Sequence, residues 1–324
     1  MDFSLSEEQQ LFRESTRRFL REQCHSKTLR ELESSDTGFS GALWNDMAAQ
    51  GWTGIIVPER HGGSGLGLLE LGVLLEEIGR AAFDSPFSAN LMVTLAILGS
   101  GSGPRTQQLL SEIAGGGVIV APAIEELGVS YEPRFVTVRA ERSADAFILS
   151  GSKMFVPYAD VVDHLLVLAR TQGSIGDEGG CSLLLVDRRS PGIRMTRLDT
   201  IAPDRQFRID FDQVVVAGEA VLGDAGAALR LLADVQRQCT ALTCAEMLGG
   251  AEHQLEVTAE YVKQRVQFDR PIGSFQAVHH HLADMFTLVQ ASRWTTYQAI
   301  DQLQRNRPAE REVAIAKAVS SDAC

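Results

Sequence analysis

The chain has 324 residues, 44% hydrophobic and 22% charged, the composition of an ordinary globular protein long enough for about two domains or one composite unit. Its net charge of -12 argues against a nucleic-acid surface, and no apolar run approaches the ~20 residues of a membrane span. The five cysteines (Cys24, Cys181, Cys239, Cys244 and Cys324) are odd in number and form no CxxC pair, and the start MDFSLSEEQQ is acidic and polar rather than a targeting peptide. A reduced, cytoplasmic protein without a disulfide framework is expected.

Residues 1–114 read as mainly helical. Ser4 or Ser6 can cap a first helix, with Glu7 and Glu8 in its first turn and Leu11, Phe12, Phe19 and Leu20 along one stripe. A second helix is expected near Leu43–Gln50. The glycine-rich HGGSGLG at 61–67 has no Lys-Ser/Thr after it and no βαβ unit around it, so it reads as a tight turn that lets helices approach, not a phosphate cradle. Leu68–Arg80 is a helix whose Glu76 and Glu77 point about 100° apart, too divergent for a paired acid and base, and are taken as a polar edge. Helices near Ala89–Leu98 and Arg105–Ala114 follow.

Between 115 and 223 the period changes. The runs VIVAPAI, RFVTVRA, AFILSG, HLLVLAR, CSLLLVD, GIRMTRL and FRIDFDQVVV, with no helix between them, predict a compact antiparallel sandwich or barrel. Thr171–Gly180 reads as an exposed hairpin loop.

From 224 to 324 the helical period returns, with long helices over Leu229–Phe268, Ser274–Gln304 and Pro308–Cys324. Tyr261, Arg265 and Phe268 fall on one predicted face. Asp269-Arg270-Pro271-Ile272-Gly273 breaks it, and Ser274 is placed to cap the next helix. His279-His280-His281 diverge around a helix and cannot chelate one metal together, so no metal site is read.

The string Arg265-x-Gln267-Phe268-x-x-Pro271-Ile272-x-x-Phe275-Gln276, followed by Leu282-Ala283-Asp284-Met285, closely resembles the signature of flavin-dependent acyl-CoA dehydrogenases. The resemblance runs through the whole chain. It implies an α+β multidomain fold: an N-terminal helical domain (1–114), a middle antiparallel β-barrel or sandwich (115–223), and a C-terminal long-helix bundle (224–324) that lacks the family's last helices. It also implies FAD as cofactor and an acyl-CoA thioester as substrate, oxidised to the α,β-enoyl-CoA. The expected partners are an electron-transferring flavoprotein as acceptor and a second acyl-CoA dehydrogenase subunit, the same or different, in an oligomer.

Residue by residue, the resemblance places Arg265 at the flavin pyrophosphate, where its planar donor fork suits phosphate, with Gln267, Phe268, Phe275 and Gln276 around it. Asp269 stands where the family has Gly. The family's Thr-Glu-Pro-x-x-Gly-Ser-Asp segment corresponds to Ile124–Tyr131, where Glu126 and Gly128 survive. Its Lys-x-Trp-Ile-Thr segment reads Lys153-Met154-Phe155-Val156-Pro157, so Phe155 can stack on the flavin while Pro157 offers neither hydroxyl nor N–H. The family's proton-abstracting Glu has no counterpart: Gln238-Cys239-Thr240 holds no carboxylate, Glu246 reads as a helix-face residue, and Cys239 and Cys244 read as small buried side chains. The catalytic residue stays unassigned. A non-catalytic subunit that lends one edge of the FAD site to a catalytic partner is the alternative function.

Overall fold

The computed structural model describes residues 5–101, 103–128, 130–202 and 204–324. Ser4, one of the two expected caps, and Val129 lie outside them. In chain order the elements are α1 (Glu7–Gln23), α2 (Ser26–Ser34), α3 (Gly41–Ala49), α4 (Leu68–Arg80), α5 (Phe87–Gly99) and α6 (Pro104–Ala114). Then come β1 (Val120–Ala123), β2 (Arg139–Ser143), β3 (Ala146–Pro157), β4 (His164–Arg170), β5 (Cys181–Asp187), β6 (Ile193–Leu198), β7 (Gln206–Ala217) and β8 (Val221–Leu222). The chain closes with α7 (Ala228–Gln264), the short strands β9 (Val266–Gln267) and β10 (Arg270–Pro271), α8 (Gln276–Gln304) and α9 (Glu310–Ala323). Two compact units are assembled from non-consecutive segments.

The first unit takes Met1–Leu29, Leu66–Phe83 and Arg237–Cys324. Ser6 caps α1: its hydroxyl accepts the Gln9 N–H at 3.2 Å, and the Gln9 side chain accepts the Ser6 N–H at 3.0 Å. Helix α4 is buried nearly all round. Its crossing with α7 is backbone on backbone, because a Cβ at Gly79 would overlap the Glu246 carbonyl and one at Gly249 the Glu76 carbonyl. Val73, Leu248, Ala251, Val289 and Tyr297 form the core there, with Phe12 of α1 packed against it. The Gln304 side chain reaches back to accept the Leu69 N–H at 2.8 Å, satisfying one orphan donor at the start of α4.

Glu76 and Glu77 are not a polar edge. They are 2% and 1% exposed, inside an ion network. Arg17 grips Glu77 with two hydrogen bonds of 2.8 and 2.7 Å. Arg293 bridges Glu76 at 2.8 Å and Glu252 at 2.6 Å, and the Tyr297 hydroxyl donates to Glu76 at 2.5 Å. Burial opposes the Arg293 charge, yet Glu76 and Glu252 hold its pKa above the ordinary range.

The second unit takes Arg30–Gly65 and Asp84–Gln236. Its sheet runs β6-β7-β3-β2-β4-β5-β8, with β1 also on β4. Most pairs are antiparallel, as in Leu149↔Val214 and Leu165↔Val186. Among the described residues no pairing joins β6 to β8, so the sheet is open rather than a closed barrel. It also holds two parallel pairs, β1 with β4 and β2 with β4. Parallel pairing needs a long crossover, and the chain between β1 and β4 supplies one. Helix α5 covers β1, and the Asn90 side chain accepts the Val120 N–H at 2.9 Å.

Other boundaries moved for local reasons. The run predicted as strand at 134–140 becomes a single 3-10 turn at Pro133–Phe135 and a strand that starts only at Arg139. The Thr137 and Val138 N–H groups donate to the Glu126 carboxylate instead of to a neighbouring strand. Helix α2, absent from the sequence-based expectation, is short and buries none of its residues.

Candidate functional site

The predicted helix through Phe268 ends four residues early, at Gln264. Val266 and Gln267 pair antiparallel with Pro271 and Arg270, so Phe268 and Asp269 are the two residues of a tight hairpin turn. Both lie at positive φ, +53° and +62°, the geometry of a type I′ turn that ordinarily takes Asn-Gly. The Ile272 N–H closes the base of the hairpin on the Arg265 carbonyl at 2.8 Å. At Gly273 the backbones run close: a Cβ there would stand 3.0 Å from the Val262 carbonyl. Ser274 does not cap α8; its hydroxyl donates to the Pro271 carbonyl, and Phe275 is the cap residue.

This geometry brings five sequence-predicted residues into one short arm. Arg265, Gln267 and Gln276 are exposed, Phe268 is 86% exposed, and Phe275 is half-buried. Phe275 is the centre: the Arg270 guanidinium sits 4.2 Å over its ring and Phe268 meets it edge-on at 6.1 Å. Among the described residues no hydrogen bond or ion pair holds the Arg265 side chain. Its donor fork is therefore free for a phosphate. Val257, Tyr261, Val266 and Phe286 continue an exposed apolar surface along the same end of the helices.

Glu126 and Phe155, in the second unit, are held differently. Glu126 is spent internally: its carboxylate accepts from Thr137 N at 2.7 Å, Val138 N at 3.1 Å and Lys153 Nζ at 2.7 Å. Burial works against this charge, but Lys153 and Thr137 hold Glu126 below the usual carboxylate range. Lys153 is wholly buried, which lowers its pKa to about 8 against the pull of Glu126. The Thr137 hydroxyl donates to the same carboxylate at 2.5 Å, so Glu126 ties its loop to β3 with all four acceptor positions filled. Phe155 lies at a bulge between Lys153 and Val156, at φ +55°, with 44% of its surface open. An exposed ring on a strained strand is a platform for a planar ligand. The preceding residue, Met154, donates its N–H to the Glu125 carbonyl at 2.9 Å, and Glu125 lines a cavity of about 270 Å³ with Ile124, Glu126, Tyr131, Phe135 and Ile175. Just beyond β3, the buried Tyr158 hydroxyl donates to Asp84 at 2.7 Å, and burial raises Asp84 to about 6.

The remaining candidates add no reactive group. Burial pushes the Cys239 thiol up to about 12, and Cys244 is raised by burial as well, so neither is a thiolate near neutral pH. Among the described residues no group of three or more His, Cys, Asp or Glu side chains could hold a metal ion, and no helix is long and apolar enough to cross a membrane. The Arg17–Glu77 and Arg293–Glu76 pairs were invisible in the sequence, since 60 and 217 positions separate the partners.

Three segments match the descriptions "Acyl-CoA dehydrogenase, N-terminal domain" (residues 6–117), "middle domain" (122–214) and "C-terminal domain" (231–324). Among solved structures, a chain of a Tcur3481-Tcur3483 steroid ACAD variant is 33% identical, with TM-score 0.85, covering 98% of this chain and 83% of that one. A chain of the ChsE4-ChsE5 complex from Mycobacterium tuberculosis is 28% identical, with TM-score 0.88, covering 100% and 85%. The FAD complex of PigA is 26% identical, with TM-score 0.90, covering 100% and 86%. With its exposed Arg265–Gln276 arm, its three matched segments and these likenesses, the chain belongs to the acyl-CoA dehydrogenase family.

Proposed function

We infer that this chain works as an FAD-dependent acyl-CoA dehydrogenase, taking an acyl-CoA thioester to its α,β-enoyl-CoA. The observation that carries the reading is the 265–276 arm, which holds an unpaired Arg265 fork, Gln267 and Gln276 in solvent beside two aromatic rings. Arg265 suits the FAD pyrophosphate, with Gln267, Phe268, Phe275 and Gln276 along the same edge of the cofactor. Phe155 suits the flavin ring, and Glu126 shapes the loop next to it. When bound, FAD supplies the acceptor for the β-hydride. No residue is assigned as the base. The substrate's acyl chain stays at the level of an acyl-CoA, and an electron-transferring flavoprotein is the proposed acceptor. The segments 1–114, 115–223 and 224–324 remain our proposal for its domains, and the cytoplasm for its location.

Purified protein should be yellow, with acyl-CoA bleaching its visible flavin band. A colourless protein that stays colourless with added FAD would sink the reading for the chain alone. The free arm and its apolar surroundings favour a second subunit across it, consistent with likeness to chains from two-component structures. In that second reading flavin and activity appear only when a partner dehydrogenase subunit is produced together with this chain. Arg265→Ala should lower flavin content at least tenfold in whichever assembly binds it, without changing the melting of the flavin-free protein. Unchanged flavin content refutes the role given to Arg265.

A further inference from the structure

Glu126 is paired with the Lys153 ammonium, and Glu125, the residue before it, feels the same charge without bonding to it. Lys153 Nζ is committed, donating to the Ile124 carbonyl at 2.8 Å and to Glu126 at 2.7 Å. Glu126 is satisfied by Lys153, Thr137 and Val138. The Glu125 carboxylate has no such partner: among the described residues nothing hydrogen-bonds it, and it lines the 270 Å³ cavity. The pair Glu126–Lys153 is neutral, so Glu125 leaves the cluster with an excess negative charge. Its backbone is anchored all the same, because its carbonyl accepts the Met154 N–H at 2.9 Å. That bond sets Glu125 against β3 one residue from the exposed Phe155.

Resting on the reading of Phe155 as a platform for the flavin ring, we propose that Glu125 sets the reduction potential of that flavin, its carboxylate opposing reduction. The physical reason is simple. A flavin held at Phe155 would be neutral when oxidised and would carry negative charge once reduced. A carboxylate nearby would raise the free energy of the charged state and leave the neutral one almost unaffected. The cavity strengthens the effect because its apolar lining (Ile124, Phe135, Ile175) screens less than water does. Burial and the Glu126 charge raise the Glu125 pKa against the attraction of Lys153, as expected of a carboxylate left short of partners. The consequence for the reaction is relative: with Glu125 in place the equilibrium with the substrate lies further toward the saturated acyl-CoA than it would without that carboxylate.

The test uses flavin-loaded protein, in whichever assembly retains flavin, titrated reductively against a redox dye at pH 7. Glu125→Gln should move the midpoint to a more positive potential, by at least tenfold in the oxidised-to-reduced ratio, about 30 mV for a two-electron couple. Glu132→Gln combined with Arg134→Gln removes both members of an ion pair at the same cavity, 2.7 Å apart, and should leave the midpoint where it was. If Glu125→Gln does not retain flavin, Glu125→Thr is equally uncharged and reads the same shift. A parental or more negative midpoint in a flavin-loaded Glu125 variant overturns the proposal while sparing the flavin reading. Failure of any assembly to bind flavin overturns both.

Discussion

At 265–276 the polar side chains reach into solvent with nothing in their own chain to bind, whereas around 124–153 they are consumed by one another. The arm costs the fold little if altered; the Glu126–Lys153 cluster is part of the core. The difference teaches how to separate a residue matched by motif from a residue free to act. Arg265 and Glu126 are both at family-like positions, yet only Arg265 has unspent hydrogen-bonding capacity. The two residues are alike in their match to the motif and unlike in the partners they hold.

The largest expected effect is therefore at Lys153. Lys153→Met leaves Glu126 buried and without its counter-ion, and removing one partner of a buried pair typically costs ~3–5 kcal/mol. Chemical denaturation should show this loss, while Arg265→Ala, in solvent, should show none. Equal midpoints for the two variants would erase the contrast drawn between the regions. Next comes Glu76→Ala, which strips Arg293 and Tyr297 of a shared acceptor in the core. A loss of roughly 2–4 kcal/mol is expected from the orphaned Tyr297 hydroxyl and from an Arg293 left with Glu252 as its remaining carboxylate. Arg293→Leu with Glu76→Leu should recover part of it, because a matched apolar replacement removes both charges together.

A smaller effect depends on pH. Asp84 has a folded-state pKa raised to about 6 from 3.8 by burial, more than the Tyr158 hydrogen bond restores. Its contribution to stability is thus fully present below the unfolded pKa and is lost as pH rises through about 6. Asp84→Asn keeps an acceptor for Tyr158 and cannot ionise. Relative to the parent it should gain about 1–3 kcal/mol between pH 4 and pH 7.5. Melting curves across that range check the sign; a parallel pair of profiles would show that Asp84 does not titrate in the folded protein.

Much of this architecture was legible because the local and the tertiary signals agree. Helix α4 was predicted over Leu68–Arg80 and lies there, since a run of aliphatics bounded by a glycine loop has one good way to fold. The strands β4 and β5 were equally clear as short buried runs. Three things were not. Burial of Glu76 and Glu77 depends on arginines far away in sequence, so an acidic pair on an apolar helix looked like a solvated edge. Closure of the sheet depends on which edges pair, and β-branched runs do not say; β1 and β2 both joined β4 in parallel. At the site, the letters at Arg265–Gln276 were readable, but not the early helix end or the turn, because Phe268-Asp269 lacks the glycine that announces a type I′ hairpin.

That missing glycine gives the smallest and most local prediction. Positive φ at a bulky Phe and at Asp costs of order 1 kcal/mol each, and an Asn-Gly pair would relieve it. The fold around the turn does not enforce this strain by burial, since Phe268 is almost wholly exposed. What holds the conformation is the β9–β10 pairing, the Ile272–Arg265 backbone bond, and the Arg270–Phe275–Phe268 stack. Replacing Phe268-Asp269 with Asn-Gly should therefore tighten the arm while removing one ring of that stack. Amide exchange should slow by about fivefold at Ile272, the reporter of hairpin closure, for a gain near 1 kcal/mol. Global melting of the flavin-free protein should not move. If flavin content nevertheless falls, the Phe268 ring is kept for the cofactor edge at the expense of the turn. If it rises, the Asp269 charge beside the phosphate position is the dominant influence, and the single change Asp269→Gly should reproduce the rise by itself.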